Sequence, residues 1–101
     1  AMIASGSDGV ISVIGNALPK RFGSMVNQAL FGQFVEAREM HHRLCPIIDA
    51  IFEEGNPTGI KSVMNTIGLC DDSVRLPLVP ATKQLRDKLY SCLADLDVDI
   101  A

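Results

Sequence analysis

Two adjacent histidines with glutamates close by are the first residues of this chain whose types could bind a metal. His41 and His42 follow Glu36 and Glu39 in a segment with helical apolar spacing. Neighbouring residues of a helix point in different directions, so two adjacent histidines do not converge on one ion. Helical metal sites use histidines four residues apart, or a glutamate three residues before a histidine. No further residue completes a tetrahedral set here, so the pattern predicts a helix surface and no metal site.

Three groups of carboxylates could also do chemistry. Residues 95–99 carry aspartates at alternate positions, like the start of a calcium loop, but the glycine and closing glutamate of such a loop are absent. The acidic pairs at 53–54 and 71–72 could form a general acid–base pair. Both pairs lie at predicted helix ends or turns, with no apolar pocket to raise a pKa. We therefore expect them to cap helices or to be solvated.

A lysine nucleophile is a third possibility. Lys61 lies on a predicted helix after Asn56-Pro57. A Schiff-base lysine needs a buried, desolvated site, which the neighbours of Lys61 do not guarantee, so a structural role is favoured. The glycines between residues 9 and 15 lack the spacing of a dinucleotide-binding loop. Taken alone, the sequence contains no complete catalytic apparatus.

Composition indicates an ordinary globular chain. It has 101 residues, of which 48% are hydrophobic and 21% charged, with a net charge of −3. The absence of a basic face argues against nucleic acid as a partner. No apolar run approaches the roughly 18 residues of a membrane span, and no basic leader is seen, so we expect a cytoplasmic protein without membrane contact. The three cysteines, at 45, 70 and 92, form no C-x-x-C pair and are expected to be buried, reduced thiols.

The elements that would position these residues begin with a single strand. Residues 1–5 read as the end of a helix closed by Gly6, and residues 9–14 as a short β-branched strand buried on both faces. No second strand pattern follows. Burying unpaired backbone groups is costly, so the ladder partners must come from another chain or from the rest of a larger α/β protein. We favour the larger protein.

Helical patterns fill the remainder of the chain. One helix is predicted after Pro19 and ends before Gly32, and a second runs from about Phe34 to Phe52, with Pro46 expected to kink or split it. Asn56 is the predicted N-cap of a third helix, which ends at Gly68. The last helix is predicted from about Thr82 to Leu96, with a buried stripe formed by Leu85, Leu89, Cys92, Leu93 and Leu96. The fold class is thus mostly α, with one strand and four to five helices.

Four stretches, in order, resemble the dihydrodipicolinate synthase family of pyruvate-dependent lyases. They are Gly-Val-Ile-Ser-Val at 9–13, Glu-Ala-Arg at 36–38 with Leu44 and Pro46, Asn-Pro-Thr-Gly-Ile-Lys at 56–61, and Leu69 with Val-Arg-Leu-Pro-Leu-Val-Pro at 74–80. Their order and spacing are similar to the family's across about residues 3–93.

The resemblance implies that the chain is the last part of a (β/α)8 TIM barrel that continues into a C-terminal helical domain. Residues 1–32 would be the end of the barrel, with strand 9–14 as its eighth, and residues 33–101 the helical domain. The family's Schiff-base lysine, proton-relaying tyrosine and threonine pair would all precede this segment. One site residue carries over, namely Ile11, whose main chain would lie beside bound pyruvate. Lys61 corresponds to the lysine of the Asn-Pro motif and not to the Schiff-base lysine.

The resemblance also implies an activity and partners. The complete enzyme would condense pyruvate with aspartate semialdehyde through a lysine Schiff base, on the route to lysine, without a metal or other cofactor. It would be a homo-oligomer, with a homotetramer as the expected form, and the missing barrel would be this segment's main partner. Two alternatives stay open: another aldolase of the superfamily, such as N-acetylneuraminate lyase, and a non-enzymatic helical module that adds its strand to a partner's sheet.

Overall fold

The computed structural model describes residues 1–98, and within these residues all regular secondary structure is helical. A 3-10 turn at Ile14–Asn16 precedes four α-helices, which are α1 (Pro19–Leu30), α2 (Phe34–Ile51), α3 (Thr58–Thr66) and α4 (Lys83–Asp95). The prediction of a mostly helical chain is therefore confirmed. Among these residues no helix combines the length and the apolar character that crossing a membrane requires.

The predicted strand at residues 9–14 is not formed. Residues 9–12 have no regular structure, and Ile14 belongs to the 3-10 turn. The physical reason is the one that makes a lone strand costly: nothing within residues 1–98 offers a second strand to complete a ladder. The prediction of one strand in this chain is wrong, and the apolar run is left as an irregular segment.

The chain divides into two compact units, Ala1–Leu44 and Cys45–Ala101. The division falls within α2, which contributes to both. This division reflects contacts within this chain alone. The boundary between barrel and helical domain, at residues 32 and 33, therefore stays a prediction.

In the first unit, the predicted helix end at residues 1–5 is confirmed as a short turn. Gly6 has φ of 113°, a conformation that glycine adopts without steric cost. The Gly6 N–H donates to the Ile3 carbonyl at 3.0 Å, and the Ser7 N–H donates to the Met2 carbonyl at 3.1 Å. This pair of bonds is the Schellman arrangement that closes helix ends. The buried side chains of the unit lie further along the chain, at Ile14, Ala17, Leu18, Ala37 and Leu44.

Pro46 does not split α2, which runs without interruption from Phe34 to Ile51. The expected split is thus wrong, and the alternative expectation, a kink at Pro46, stays a prediction. Proline removes one N–H from the helical ladder, but Leu44 and Ile47 on either side of it are fully buried. Burial of side chains of this size contributes about 1.5–3 kcal/mol each, enough to offset one lost hydrogen bond.

In the second unit, α3 packs against α4. The predicted stripe on the last helix is confirmed at Leu85, Leu89, Leu93 and Leu96, which are buried, whereas Cys92 is only partly buried. Gly59 in α3 faces the end of α2 so closely that a Cβ built on it would lie 2.0 Å from the Ile51 carbonyl oxygen. Only glycine permits this approach, and the sequence pattern did not indicate it.

The two helix starts in this unit differ from each other. Pro57, and not the predicted Asn56, is the N-cap of α3, and no side chain caps that end. At α4 the N-cap is Thr82, whose Oγ1 accepts from the Leu85 N–H at 3.2 Å. The predicted start of the last helix at Thr82 is therefore confirmed.

Candidate functional site

The segment around Ile11 is the one place in the chain where the sequence predicted contact with a substrate. Ile11 is fully exposed, with a relative accessibility of 107%. Within residues 1–98, neither its N–H nor its carbonyl makes a hydrogen bond. The structure thus leaves the Ile11 main chain open on both sides, as a strand awaiting partners would be, and it does not test the predicted contact with pyruvate.

The turn directly after Ile11 is held by side chains. Ser12 Oγ accepts from the Gly15 N–H at 3.1 Å. Asn16 Nδ2 donates to the Val13 carbonyl at 3.0 Å and to the Ser12 carbonyl at 3.4 Å. The Asn16 N–H also donates to the Val13 carbonyl, at 3.1 Å. Side-chain bonds of this local kind fix turns, so a rigid turn follows the open segment.

Two depressions border this segment within the first unit. One, of about 420 Å³, lies beside Gly9, Val10 and Ser12 and is also lined by α1. The other, of about 550 Å³, is mostly apolar and is lined by Val10 together with side chains from residues 1–4, α1 and the start of α2. Both surfaces are concave and accessible.

Glu54 binds the start of α4. Its Oε1 accepts from the Thr82 N–H at 3.0 Å, and its Oε2 accepts from the Thr82 hydroxyl at 2.6 Å. The bond from the hydroxyl, followed by that from the N–H, lowers the pKa of the Glu54 carboxyl. Thr82 in turn accepts from the Leu85 N–H, so a chain of hydrogen bonds joins the end of α2 to α4.

Two other acidic residues of these pairs, Glu53 and Asp71, have structural partners as well. Glu53 forms an exposed ion pair with Lys88, which raises the pKa of that lysine. Asp71 Oδ1 accepts from the Ser73 N–H at 3.1 Å and so closes a tight turn. The predicted capping role of the acidic pairs is confirmed for Glu54 at the start of α4, whereas Asp71 closes a turn in the connector and caps no helix.

Lys61 connects the Asn-Pro motif at 56–61 to the irregular segment that precedes α4. Its Nζ donates to the Ser73 carbonyl at 2.5 Å. Nearby, the buried Thr58 donates its hydroxyl to the Val79 carbonyl at 3.2 Å. The Asn-Pro motif therefore holds the connector before α4 in place, as the predicted structural role of Lys61 requires. Periodicity gave no signal of this pairing, because the connector has no repeating pattern.

The remaining candidate residues are the two histidines, the aspartates near the end of the chain and the cysteines. His41 and His42 are both exposed, with ring centroids 5.5 Å apart. Within residues 1–98, no three His, Cys, Asp or Glu side chains are grouped so as to hold a metal ion. Asp99 of the alternating aspartates lies outside the described residues. Cys70 is exposed, so the expectation of buried thiols is wrong there, whereas burial raises the pKa of the Cys92 thiol.

An open main-chain segment around Ile11 precedes the helices of this chain, as expected of one part of a larger fold. Comparison with known proteins identifies that fold's family. Residues 1–96 match the sequence model of the Dihydrodipicolinate synthetase family, and the chain belongs to this family.

The similar proteins are all dihydrodipicolinate synthases, and this chain covers a similar share of each of them. The chain is 40% identical over 97 residues to the 4-hydroxy-tetrahydrodipicolinate synthase of Phocaeicola vulgatus, covering 96% of this chain and 33% of that protein. A dihydrodipicolinate synthase structure from Aquifex aeolicus superposes with a TM-score of 0.91 at 33% identity, covering 98% of this chain and 34% of that one. The chloride-inhibited enzyme of Acinetobacter baumannii, solved in complex with pyruvate, gives a TM-score of 0.84 at 30% identity, covering 93% and 32%. The chain thus spans about a third of the length of its relatives, and the matches do not favour either the sister aldolase or the helical module.

Proposed function

We propose that this chain is the C-terminal third of a lyase that condenses pyruvate with aspartate semialdehyde through a lysine Schiff base. The observation that carries the proposal is the match over residues 1–96 to a family whose members are named for this synthase. The pyruvate complex of the Acinetobacter enzyme supports the first substrate. Covalent attachment of pyruvate as an imine turns its methyl carbon into an enamine nucleophile, and that lysine would precede this segment.

In this proposal the segment at residues 9–13 is the last strand of a TIM barrel. Its unpaired N–H and carbonyl groups would find ladder partners on the preceding part of the protein. Because barrel chemistry lies at the C-terminal ends of the strands, Ile11 stands where a main-chain contact to pyruvate is expected. Its full exposure in this chain supports the idea that another part of the protein covers it.

The second unit would serve as packing for the barrel and as a surface for subunit contacts, in a cytoplasmic homo-oligomer. Lys61 and Glu54, its most chemically suggestive side chains, are both engaged in holding the connector and α4. This engagement supports a structural role without chemistry for the unit. The apolar depression of the first unit would be covered by the barrel.

The test is an assay of the longer protein that carries this segment and the preceding two thirds. Given pyruvate and aspartate semialdehyde, it should form the cyclic condensation product, and the 101-residue chain assayed at the same concentration should not. A folded longer protein without turnover of this pair would contradict the proposal. So would turnover by the 101-residue chain alone.

A further inference from the structure

The turn after Ile11 has a feature that the proposed function does not use, namely the side-chain bonds of Ser12 and Asn16. We infer that Ser12 and Asn16 are positioning residues, which fix the Ile11 main chain against bound pyruvate. The inference rests on the proposed function and adds to it the residues that determine where the main-chain contact lies.

The carbonyl groups of Ile11, Ser12 and Val13 differ in the hydrogen bonds that they accept. The Val13 carbonyl accepts from both the N–H and the side-chain amide of Asn16, and the Ser12 carbonyl accepts from the same amide. The Ile11 carbonyl, one residue earlier, accepts from no group within residues 1–98. Asn16 therefore engages the carbonyls of Ser12 and Val13, and the Ile11 carbonyl is the last one before the turn that accepts no hydrogen bond within residues 1–98.

The turn is also anchored on its far side. Ser12 Oγ holds the Gly15 N–H, and the residues that follow, Ile14, Ala17 and Leu18, are all nearly fully buried. Side chains fixed in this way cannot shift without moving the core of the unit. The bonds of Ser12 and Asn16 thus connect an open main chain to a rigid base. A displacement of about 1 Å in a group that positions a substrate can lower a rate substantially.

The test uses the longer protein and measures KM for each substrate separately. Asn16→Ala removes both amide bonds, and we expect KM for pyruvate to rise about threefold to tenfold, since one hydrogen bond contributes a factor of this size. KM for aspartate semialdehyde should stay unchanged. Ser12→Ala should act in the same direction, and Ser12→Thr, which keeps the hydroxyl, should restore the original KM for pyruvate.

Asn65→Ala is the matched control, because Asn65 Nδ2 donates to the Cys70 carbonyl at 3.0 Å in the second unit. It removes the same kind of bond and should lower the unfolding midpoint without raising KM for pyruvate. An unchanged KM for pyruvate in Asn16→Ala would overturn the inference, as would an equal rise in Asn65→Ala. Failure of the proposed function is distinguishable, because the unsubstituted protein would then lack turnover; that result would also remove the basis for this inference.

Discussion

Gly59 offers a sharp test of how the second unit is packed. A Cβ at this position would lie 2.0 Å from the oxygen, 2.6 Å from the carbon and 2.7 Å from the Cα of the Ile51 backbone. Ordinary contacts begin near 3.4 Å, so in Gly59→Ala either α3 or the end of α2 must move by more than 1 Å. Overpacking of this kind costs about 1–3 kcal/mol, and contact with backbone places Gly59 at the upper end. The helix propensity of alanine returns about 1 kcal/mol. We therefore expect a net loss of about 2 kcal/mol in the free energy of unfolding.

Gly23 is the matched control, because it lies inside α1 and, apart from its chain neighbours and the backbone of its own helix, no atom lies within 4 Å of the Cβ that alanine would add. Gly23→Ala should stabilise the chain by about 0.5–1 kcal/mol, so the same substitution has opposite signs at the two sites. Urea unfolding followed by circular dichroism measures both, and fluorescence of Tyr90, the only tyrosine in a chain without tryptophan, reports on α4. A Gly59→Ala variant as stable as the original chain would refute the close approach of the two helices.

Three further predictions concern single side chains. Hydrogen bonds from Thr82 lower the pKa of Glu54 in the folded chain, so the stabilisation by the Glu54 carboxylate is present above about pH 4 and is lost as the pH falls through the folded-state pKa. Glu54→Gln should therefore make the free energy of unfolding, measured by urea titrations at several pH values, less dependent on acid. An unchanged acid dependence would contradict the role given to Glu54. Lys61→Met keeps the aliphatic stem but removes the bond to the Ser73 carbonyl, so it should lower the free energy of unfolding by about 0.5–1.5 kcal/mol. The longer protein with this substitution should still form a pyruvate adduct. Loss of the adduct in a folded variant would give Lys61 a chemical role. In the longer protein, Ile11→Val should leave the affinity for pyruvate nearly unchanged. Ile11→Pro should weaken that affinity severely, because proline removes a main-chain N–H. Loss of pyruvate binding in a folded Ile11→Val variant would show that the side chain is the functional element.

The sequence predicted the parts of this chain that depend on local patterns. The buried stripe of α4 and its start at Thr82 follow from apolar spacing and from capping chemistry, both of which operate within a few residues. The strand at residues 9–14 was read from the same kind of pattern, but a strand needs partners, and residues 1–98 do not contain them.

Contacts between distant parts of the chain could not be predicted in this way. The bond from Lys61 to Ser73 spans an irregular connector, and the approach of Gly59 to Ile51 depends on how α2 ends. For the candidate site, Ile11 was reached through resemblance to a family, since an exposed isoleucine has no chemical signature of its own. The bonds made by Ser12 and Asn16 have no specific signal in the sequence, because short polar residues in turns are common.

The central claim is that this segment belongs to a Schiff-base lyase whose nucleophile lies outside it. The direct measurement is to incubate the longer protein with pyruvate, reduce the imine with borohydride and locate the adduct by peptide mass spectrometry. We predict one modified lysine, in the part that precedes this segment. An adduct on any of the segment's own lysines, which are Lys20, Lys61, Lys83 and Lys88, or the absence of any adduct on the folded protein, would contradict it.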